Sequence, residues 1–156
     1  MKKINWTDLI ISIVAAELVG ALSALLTGSY SGFFNDFKQP PLSPPAIVFP
    51  IVWAILYALM GIGAYLVYHS EDSGYRTFSL KIYAIQLVIN FTWSIIFFRF
   101  EILSLAAVVA VLLSMAVAAM IWGFYHTKPL AAYLNIPYLI WSLFASYLAI
   151  STCVIN

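Results

Sequence analysis

Long apolar stretches dominate this sequence, and a short polar break separates each from the next. A helix that crosses a bilayer needs about 20 mostly apolar residues, because each residue adds about 1.5 Å and the hydrocarbon core is about 30 Å thick. Five stretches fit this requirement, and they are residues 9–27, 46–68, 80–98, 102–124 and 130–155. We therefore predict an all-α integral membrane protein, a five-helix bundle in which residues 1–156 form a single transmembrane domain.

The composition argues against a soluble fold with five buried helices. Only 8% of the residues are charged and 64% are hydrophobic, whereas soluble domains carry about 25% charged residues. Too few polar side chains remain to cover a water-facing surface, so a lipid bilayer is the expected environment. The net charge of +1 supplies no basic surface, and no nucleic-acid partner is expected. The single cysteine, Cys153, excludes an intrachain disulfide.

The first stretch has an alternative interpretation as a signal peptide. Ala21-Leu22-Ser23 resembles a signal-peptidase site, and lysines precede the apolar run. Glu17 interrupts that run, so we expect the stretch to be retained as the first span.

The lysines and arginines of the polar breaks predict the orientation. The N-terminus, the second break with the start of the third stretch, and the fourth break share one side and carry Lys2, Lys3, Arg76, Lys81 and Lys128. The first and third breaks carry only Lys38 and Arg99. Because cationic loops remain on the cytoplasmic side, we expect a cytoplasmic N-terminus and an external C-terminus.

Three spans carry aromatic or amide side chains at helical spacing, which places them on one face of each helix. They are Phe49, Trp53 and Tyr57 in the second span, Gln86, Asn90, Trp93 and Phe97 in the third, and Tyr138, Trp141, Ala145 and Leu148 in the fifth. Single aromatic stripes are usually packing faces or interfacial belts. Three stripes with one amide also suit a flat-walled apolar pocket for a planar ligand. Alternatively, Asn90 serves only to join two helices by a hydrogen bond. The spacing of these residues does not decide between a ligand pocket and this structural role.

Prolines shape the first break and the fifth span. Residues 33–45 are predicted to form a stiff, extended connector, either a simple helix start or a rigid lid over the bundle. Ser43 is the expected N-cap of the second helix. Pro137 removes a backbone hydrogen bond inside the fifth span, so a kink is expected there.

Other polar residues favour structural roles. Glu17 is expected to face the protein interior as a buried acid held by a hydroxyl or an amide, since no second titratable group for a proton relay lies in any span. His69 and His126 are expected to be solvated loop residues, and neither has partners at metal-ligand spacing. No catalytic triad, phosphate loop or paired carboxylates can be assembled. Small residues at four-residue spacing favour internal packing over a dimer seam, and they are Ala106, Ala110, Ser114 and Ala118.

Several short motifs follow one another along the chain. They are Glu17 and Gly20; Lys38, Pro40 and Pro44-Pro45; Phe49-Pro50-Ile51-Val52-Trp53, Leu56-Tyr57 and Met60-Gly61; Asn90, Trp93, Phe97 and Phe98; and Pro137-Tyr138-Leu139-Ile140-Trp141, Phe144-Ala145 and Asn156. Over nearly the whole chain, this order resembles the TspO family, the tryptophan-rich sensory proteins related to the mitochondrial translocator protein.

The resemblance implies a five-helix bundle, often a homodimer, with a pocket beneath the first loop that binds porphyrins and synthetic isoquinoline or benzodiazepine-type ligands. It implies a bacterial-type protein of the plasma membrane with a tetrapyrrole-like ligand and no cofactor. Trp53, Asn90, Trp141 and Ala145 fall on the family's pocket positions, and Trp53 and Trp141 match the two tryptophans tied to light-dependent porphyrin breakdown. The predicted ligand-binding residues are Phe34, Pro45, Phe49, Trp53, Tyr57, Gln86, Asn90, Trp93, Phe97, Tyr138, Trp141, Phe144, Ala145 and Leu148.

The sequence departs from the family pattern at four positions. Phe33-Phe34 replaces Trp-Tyr, Leu42 replaces a tryptophan, and Ala149 replaces an asparagine. Phenyl and isobutyl groups keep an apolar wall but lose the indole N–H and its easy oxidation. Three other functions stay open: a weak light-driven porphyrin-degrading enzyme, a membrane scaffold or regulatory partner without a ligand, and a transporter, whose signs would be discontinuous helices and inverted repeats.

Overall fold

The computed structural model describes residues 4–28, 30–71 and 74–156, so Lys2 and Lys3, which contribute to the predicted orientation, lie outside the described residues. The described residues form seven helices: α1 (Trp6–Thr27), α2 (Tyr30–Asp36), α3 (Val48–Tyr68), α4 (Arg76–Phe98), α5 (Leu103–Thr127), α6 (Pro129–Leu134) and α7 (Ile136–Ile155). Five segments are long and apolar enough to cross a membrane: α1, α3, α4, α5 and Pro129–Ile155, which joins α6 to α7. The all-α, five-span fold is confirmed, and the chain is a multi-pass protein of a lipid bilayer.

Helix packing places α3 near the centre of the bundle. It contacts α1, α4 and α6, while α5 packs between α4 and α7. The α1–α3 contact is especially close, because a Cβ added to Gly61 would lie 2.6 Å from the Cα of Ile13. The Ser12 hydroxyl donates to the Gly61 carbonyl at 2.7 Å in the same contact. Gly61 therefore sets how closely the first two spans approach each other.

The fifth span is interrupted at Asn135, close to Pro137, where a kink was expected, but Pro137 does not cause it by removing a hydrogen bond inside a helix. Pro137 lies in the first turn of α7, where its missing N–H leaves no helical hydrogen bond unmade. The Asn135 side chain is fully buried and donates to the Ala131 carbonyl at 2.9 Å. Because α6 has only six residues, the break lies near one end of the span. Transporter sites at discontinuous helices lie instead near the membrane midplane.

The first loop differs from its predicted form. The prediction of an extended connector over residues 33–45 is wrong at its start, because Phe33 and its neighbours belong to α2. No proline restricts the backbone before Pro40, and the helix lets Phe33 and Phe37 pack one turn apart with ring centroids at 4.9 Å. Ser43 is not the N-cap of α3; its hydroxyl donates to Gln39 Oε1 at 3.2 Å, and the helix begins after Ile47 without a side-chain cap.

Three of the four small residues of α5 pack inside the bundle, as predicted. Ala106, Ala110 and Ser114 are buried, and the Ser114 and Ser146 hydroxyls lie 3.0 Å apart between α5 and α7. Ala118 is exposed. The outward faces of the spans are apolar, with Leu25 and Val154 each more than three-quarters exposed.

The two histidines have different surroundings. His126 is exposed, as expected, but it lies in the last turn of α5 and not in a loop. His69 is not a solvated loop residue, because it is half-buried and its Nε2 lies 2.9 Å from Asp8 Oδ2. The sequence did not reveal this pair because Asp8 lies on a different span, 61 residues away.

Candidate ligand-binding site

Three helices bring their aromatic faces together in the middle of the bundle. Trp53 of α3 lies at the centre of this aromatic cluster. Its ring centroid lies 6.4 Å from Trp93 of α4, 6.5 Å from Trp141 of α7 and 6.0 Å from Tyr138 of α7. On α3 itself, Tyr57 lies 5.8 Å from Trp53. The helical spacing seen in the sequence therefore corresponds to a real convergence of three faces.

Two buried hydrogen bonds lie beside the rings. Asn90 Nδ2 donates to the Tyr57 hydroxyl at 2.9 Å and joins α4 to α3. One helical turn earlier, the Tyr138 hydroxyl donates to Gln86 Oε1 at 2.6 Å and joins α7 to α4. Asn90, Gln86 and Tyr138 are each fully buried. The structural role considered for Asn90, a hydrogen bond between two helices, is confirmed.

Three polar atoms in and beside this cluster are buried without a hydrogen-bond partner among the described residues. They are Asn90 Oδ1, Trp93 Nε1 and Trp141 Nε1. Leaving a buried donor or acceptor unpaired costs about 1–3 kcal/mol per group. Asn90 Oδ1 is an acceptor and the two indoles are donors, so the cluster offers both kinds of hydrogen bond to a ligand.

The predicted site residues assemble, with one exception. Phe34, Phe49, Phe97 and Phe144 complete the ring contacts around the three tryptophans, and Ala145 and Leu148 belong to the same buried core. Pro45 is exposed and does not belong to that core. Proline motifs mark the start of α3, but they do not say which of two neighbouring prolines faces the bundle.

Two further rings belong to the cluster and were not among the predicted site residues. Phe33 is buried, with its centroid 4.6 Å from Phe97 and 5.2 Å from Phe98. Phe98 lies 5.8 Å from Phe49. Phe98 directly follows Phe97, so it does not share the helix face that carries Gln86, Asn90, Trp93 and Phe97. The inward position of Phe33 depends on the formation of α2. The signals available in the sequence were the double phenylalanine at each place and the positions of Phe98 and Phe33 in the family motifs.

The first loop covers the end of the bundle that holds the cluster. Phe34 of α2 lies 5.5 Å from Phe49, so the loop contacts the rings directly. The Tyr147 hydroxyl donates to the Pro41 carbonyl at 2.8 Å and ties the loop to α7. Leu42, which the sequence suggested as part of the apolar wall, is 81% exposed and does not form it.

The rings leave little room between them in this state. A flat ligand stacked between two rings needs about 7 Å, twice a carbon–carbon contact of about 3.5 Å. The separations of 6.4 and 6.5 Å around Trp53, with interplanar angles of 47° and 89°, do not provide a flat slot of that width. Binding between the rings therefore requires them to separate or turn.

A cavity of about 170 Å³ lies on another side of Trp53 and Tyr57, between α1, α3 and α4. Glu17, Gly20, Ser23 and Ser94 line it, so it does not lie between the second, third and fifth spans as predicted. Drug-sized ligands occupy pockets of about 300–1,000 Å³, and this cavity is smaller. Glu17 faces it half-buried, and no hydrogen bond from the described residues reaches its carboxyl group, unlike the held acid we expected.

No group of three or more histidine, cysteine, aspartate or glutamate side chains comes together among the described residues. The aromatic cluster itself offers apolar contact, stacking and a few oriented hydrogen bonds.

A profile of the TspO/MBR family matches residues 12–155, which include all five spans. The chain belongs to the TspO/MBR family. The tryptophan-rich sensory protein of Cereibacter sphaeroides is 36% identical over 110 residues, covering 70% of this chain and 68% of that protein. The human translocator protein is 36% identical over 129 residues, covering 81% and 76%. The tryptophan-rich protein TspO of Archaeoglobus fulgidus is 32% identical over 154 residues, covering 97% and 99%.

Membership of the TspO/MBR family confirms the resemblance drawn from the motif order. Ala149 of α7, one of the departures from the family pattern, is fully buried in the core of the bundle. An asparagine there would need a buried partner, so alanine keeps this part of the TspO-type bundle apolar.

Proposed function

We propose that this protein binds a flat apolar ligand of the porphyrin class among the rings of α3, α4 and α7, beneath the first loop. The role of such binding would be to sense, sequester or move the ligand. A cytoplasmic N-terminus, a plasma-membrane location and a homodimeric assembly are part of the same proposal, and the cation bias of the polar breaks supports the orientation.

The observation that carries the proposal is the set of unpaired polar atoms in an otherwise apolar aromatic wall. In a membrane scaffold without a ligand, each of these unpaired groups would only oppose folding. Asn90 Oδ1 and the Trp93 and Trp141 indole N–H groups are nevertheless buried without a partner among the described residues. A planar ligand with a carbonyl, carboxylate or ring N–H can pair with them while its faces contact the rings.

Protoporphyrin binding to the purified full chain in detergent tests the proposal. Binding to the native state must raise the thermal unfolding temperature as the ligand concentration rises. We expect this rise in wild type and a weaker response in Trp53→Phe, with tryptophan fluorescence quenched in parallel. Trp122→Phe is the matched control, because Trp122 is half exposed and contacts Tyr75 and His126 rather than the cluster. An unfolding temperature that does not change during the titration would favour the scaffold function.

Light-driven breakdown of the bound porphyrin is a second candidate function. The edge-to-face contact of Trp53 and Trp141 favours it, because it holds two oxidisable indoles together beside the proposed ligand. Dissolved oxygen would be the oxidant. Binding without breakdown remains the primary proposal, since it needs no co-reactant.

A further inference from the structure

A groove of about 300 Å³ lies between α3 and α7. Its walls are apolar side chains, and they are Val52, Ile55 and Leu56 of α3 and Pro137, Ile140 and Trp141 of α7. Ile55 and Ile140 are each more than half exposed and belong to two membrane spans, so the groove opens toward the acyl chains of the bilayer. An apolar molecule dissolved in the bilayer can therefore reach it without passing through water.

Side chains, rather than closely packed backbones, close the seam between α3 and α7. α3 packs mainly on α1, α4 and α6, while α7 packs mainly on α5. Buried hydrogen bonds also hold α7 on its other sides, from the Tyr138 hydroxyl to Gln86 of α4 and between the Ser146 and Ser114 hydroxyls toward α5. A side chain in this seam can therefore move without separating two tightly packed helices.

Trp141 is the side chain that lies between the groove and the aromatic cluster. It lines the groove, and its ring centroid lies 5.8 Å from Phe49 and 6.5 Å from Trp53. Trp53 and Trp93 are buried, whereas Trp141 is only partly buried. Of the three tryptophans of the cluster, Trp141 is therefore the one next to the bilayer.

The Trp141 indole is also the least constrained of these rings. Its Nε1 has no hydrogen-bond partner among the described residues, so a rotation of the ring breaks no such bond. Its contacts with Trp53 and Phe49 are edge-to-face rather than stacked. Trp93, in contrast, is fully buried and stacks on Phe97 at an interplanar angle of 12°. Because the rings must separate or turn to admit a ligand, the ring with empty space beside it is the one expected to move.

We propose that Trp141 is a gate between the bilayer and the aromatic cluster. When its indole turns into the groove between α3 and α7, it widens the space beside Trp53 and opens a lateral path for an apolar ligand from the lipid. The apolar walls of the groove keep the turned ring out of water. This inference rests on the proposed function, because it names the route by which the porphyrin-class ligand reaches its site.

The rate of protoporphyrin association with the full chain in phosphatidylcholine vesicles, followed by porphyrin fluorescence, tests the gate. Ile140→Trp fills the groove and should lower the population of the open state, so we expect association to slow about tenfold. Ile140→Ala enlarges the groove and should speed association about threefold. Opposite effects at one position distinguish the gate from general damage to the fold.

Ile55→Trp fills the groove from the α3 side and should slow association as Ile140→Trp does. Val88→Trp and Val88→Ala are the matched controls, because Val88 is an exposed residue of α4 that does not line the groove. We expect both controls to bind at the wild-type rate.

Two results would overturn the gate while leaving the proposed function in place. One is association at the wild-type rate in Ile140→Trp and Ile55→Trp, and the other is equal slowing in Val88→Trp. A wild type that binds no protoporphyrin would overturn both the gate and the proposed function.

Discussion

The side-chain amide of Asn156 holds the backbone of Lys38 through two hydrogen bonds. The Lys38 N–H donates to Asn156 Oδ1 at 2.9 Å, and Asn156 Nδ2 donates to the Lys38 carbonyl at 3.0 Å. The same amide also donates to the Thr152 carbonyl of α7 at 2.9 Å. Because α7 carries Trp141, this clamp couples the position of the first loop to a helix of the aromatic cluster.

Asn156→Ala removes the clamp and should loosen the first loop. Each net hydrogen bond contributes about 1 kcal/mol, and less is expected at this exposed position. We expect faster hydrogen exchange at the Lys38 amide and faster release of bound porphyrin, with little change in overall unfolding temperature. Asn35→Ala is the control, an exposed amide on α2. Unchanged exchange and release in Asn156→Ala would show that the loop is held by its other contacts alone.

Gly61→Ala should separate α1 from α3. The new Cβ would lie 2.6 Å from Ile13 Cα and 2.8 Å from the Ser12 carbonyl oxygen, and backbone atoms cannot turn away as a side chain can. We expect the free energy of unfolding to fall by about 1–3 kcal/mol, the usual cost of overpacking. Thermal unfolding in detergent measures this. Gly32→Ala, where an added Cβ meets nothing within 4 Å, should leave stability unchanged or slightly raised; equal effects at both glycines would contradict the close α1–α3 contact.

Trp141→Phe should separate ligand binding from stability. The variant loses an unpaired buried N–H along with some ring contact, and these opposing effects should keep the unfolding free energy within about 1 kcal/mol of wild type. Porphyrin affinity should fall by about 1 kcal/mol, or about fivefold, because the ligand loses a hydrogen bond. A porphyrin titration of the variant and of Trp122→Phe measures the difference. Equal affinity in both would remove the Trp141 indole from the site.

Light-dependent breakdown makes a separate prediction. Under illumination in air, porphyrin absorbance should decline with wild type and Trp122→Phe but persist with Trp53→Phe or Trp141→Phe, at ligand concentrations that saturate every variant. Persistent absorbance with wild type would leave binding as the function. A decline that is the same with every variant would come from free porphyrin in solution.

The sequence predicted the five spans well because a membrane leaves few solutions for a long apolar stretch. Phe49, Trp53 and Tyr57 could also be placed together, since one helix fixes their relative directions. The family resemblance, drawn from the motif order, also predicted which helix faces converge. The contacts of Trp53 with Trp93 and Trp141 agree with that prediction.

The sequence did not reveal features that depend on contacts between distant segments. Ser43 has the side chain of an N-cap, but Pro44 and Pro45 follow it and α3 begins only at Val48. The pairing of Asp8 with His69 and the clamp of Asn156 on Lys38 join segments far apart in the chain. Local spacing holds no information about such partners, so a solvated His69 and an extended connector were the expected forms.

The structure of the protein with protoporphyrin bound tests the central claim most directly. We predict that the porphyrin lies among Trp53, Trp93 and Trp141, with at least one ring separation increased from 6.4–6.5 Å to more than about 7 Å. The Trp141 or Trp93 N–H, or Asn90 Oδ1, should then pair with a polar atom of the ligand. A porphyrin bound only at the outer surface, with the three indoles in their present contacts, would contradict the account.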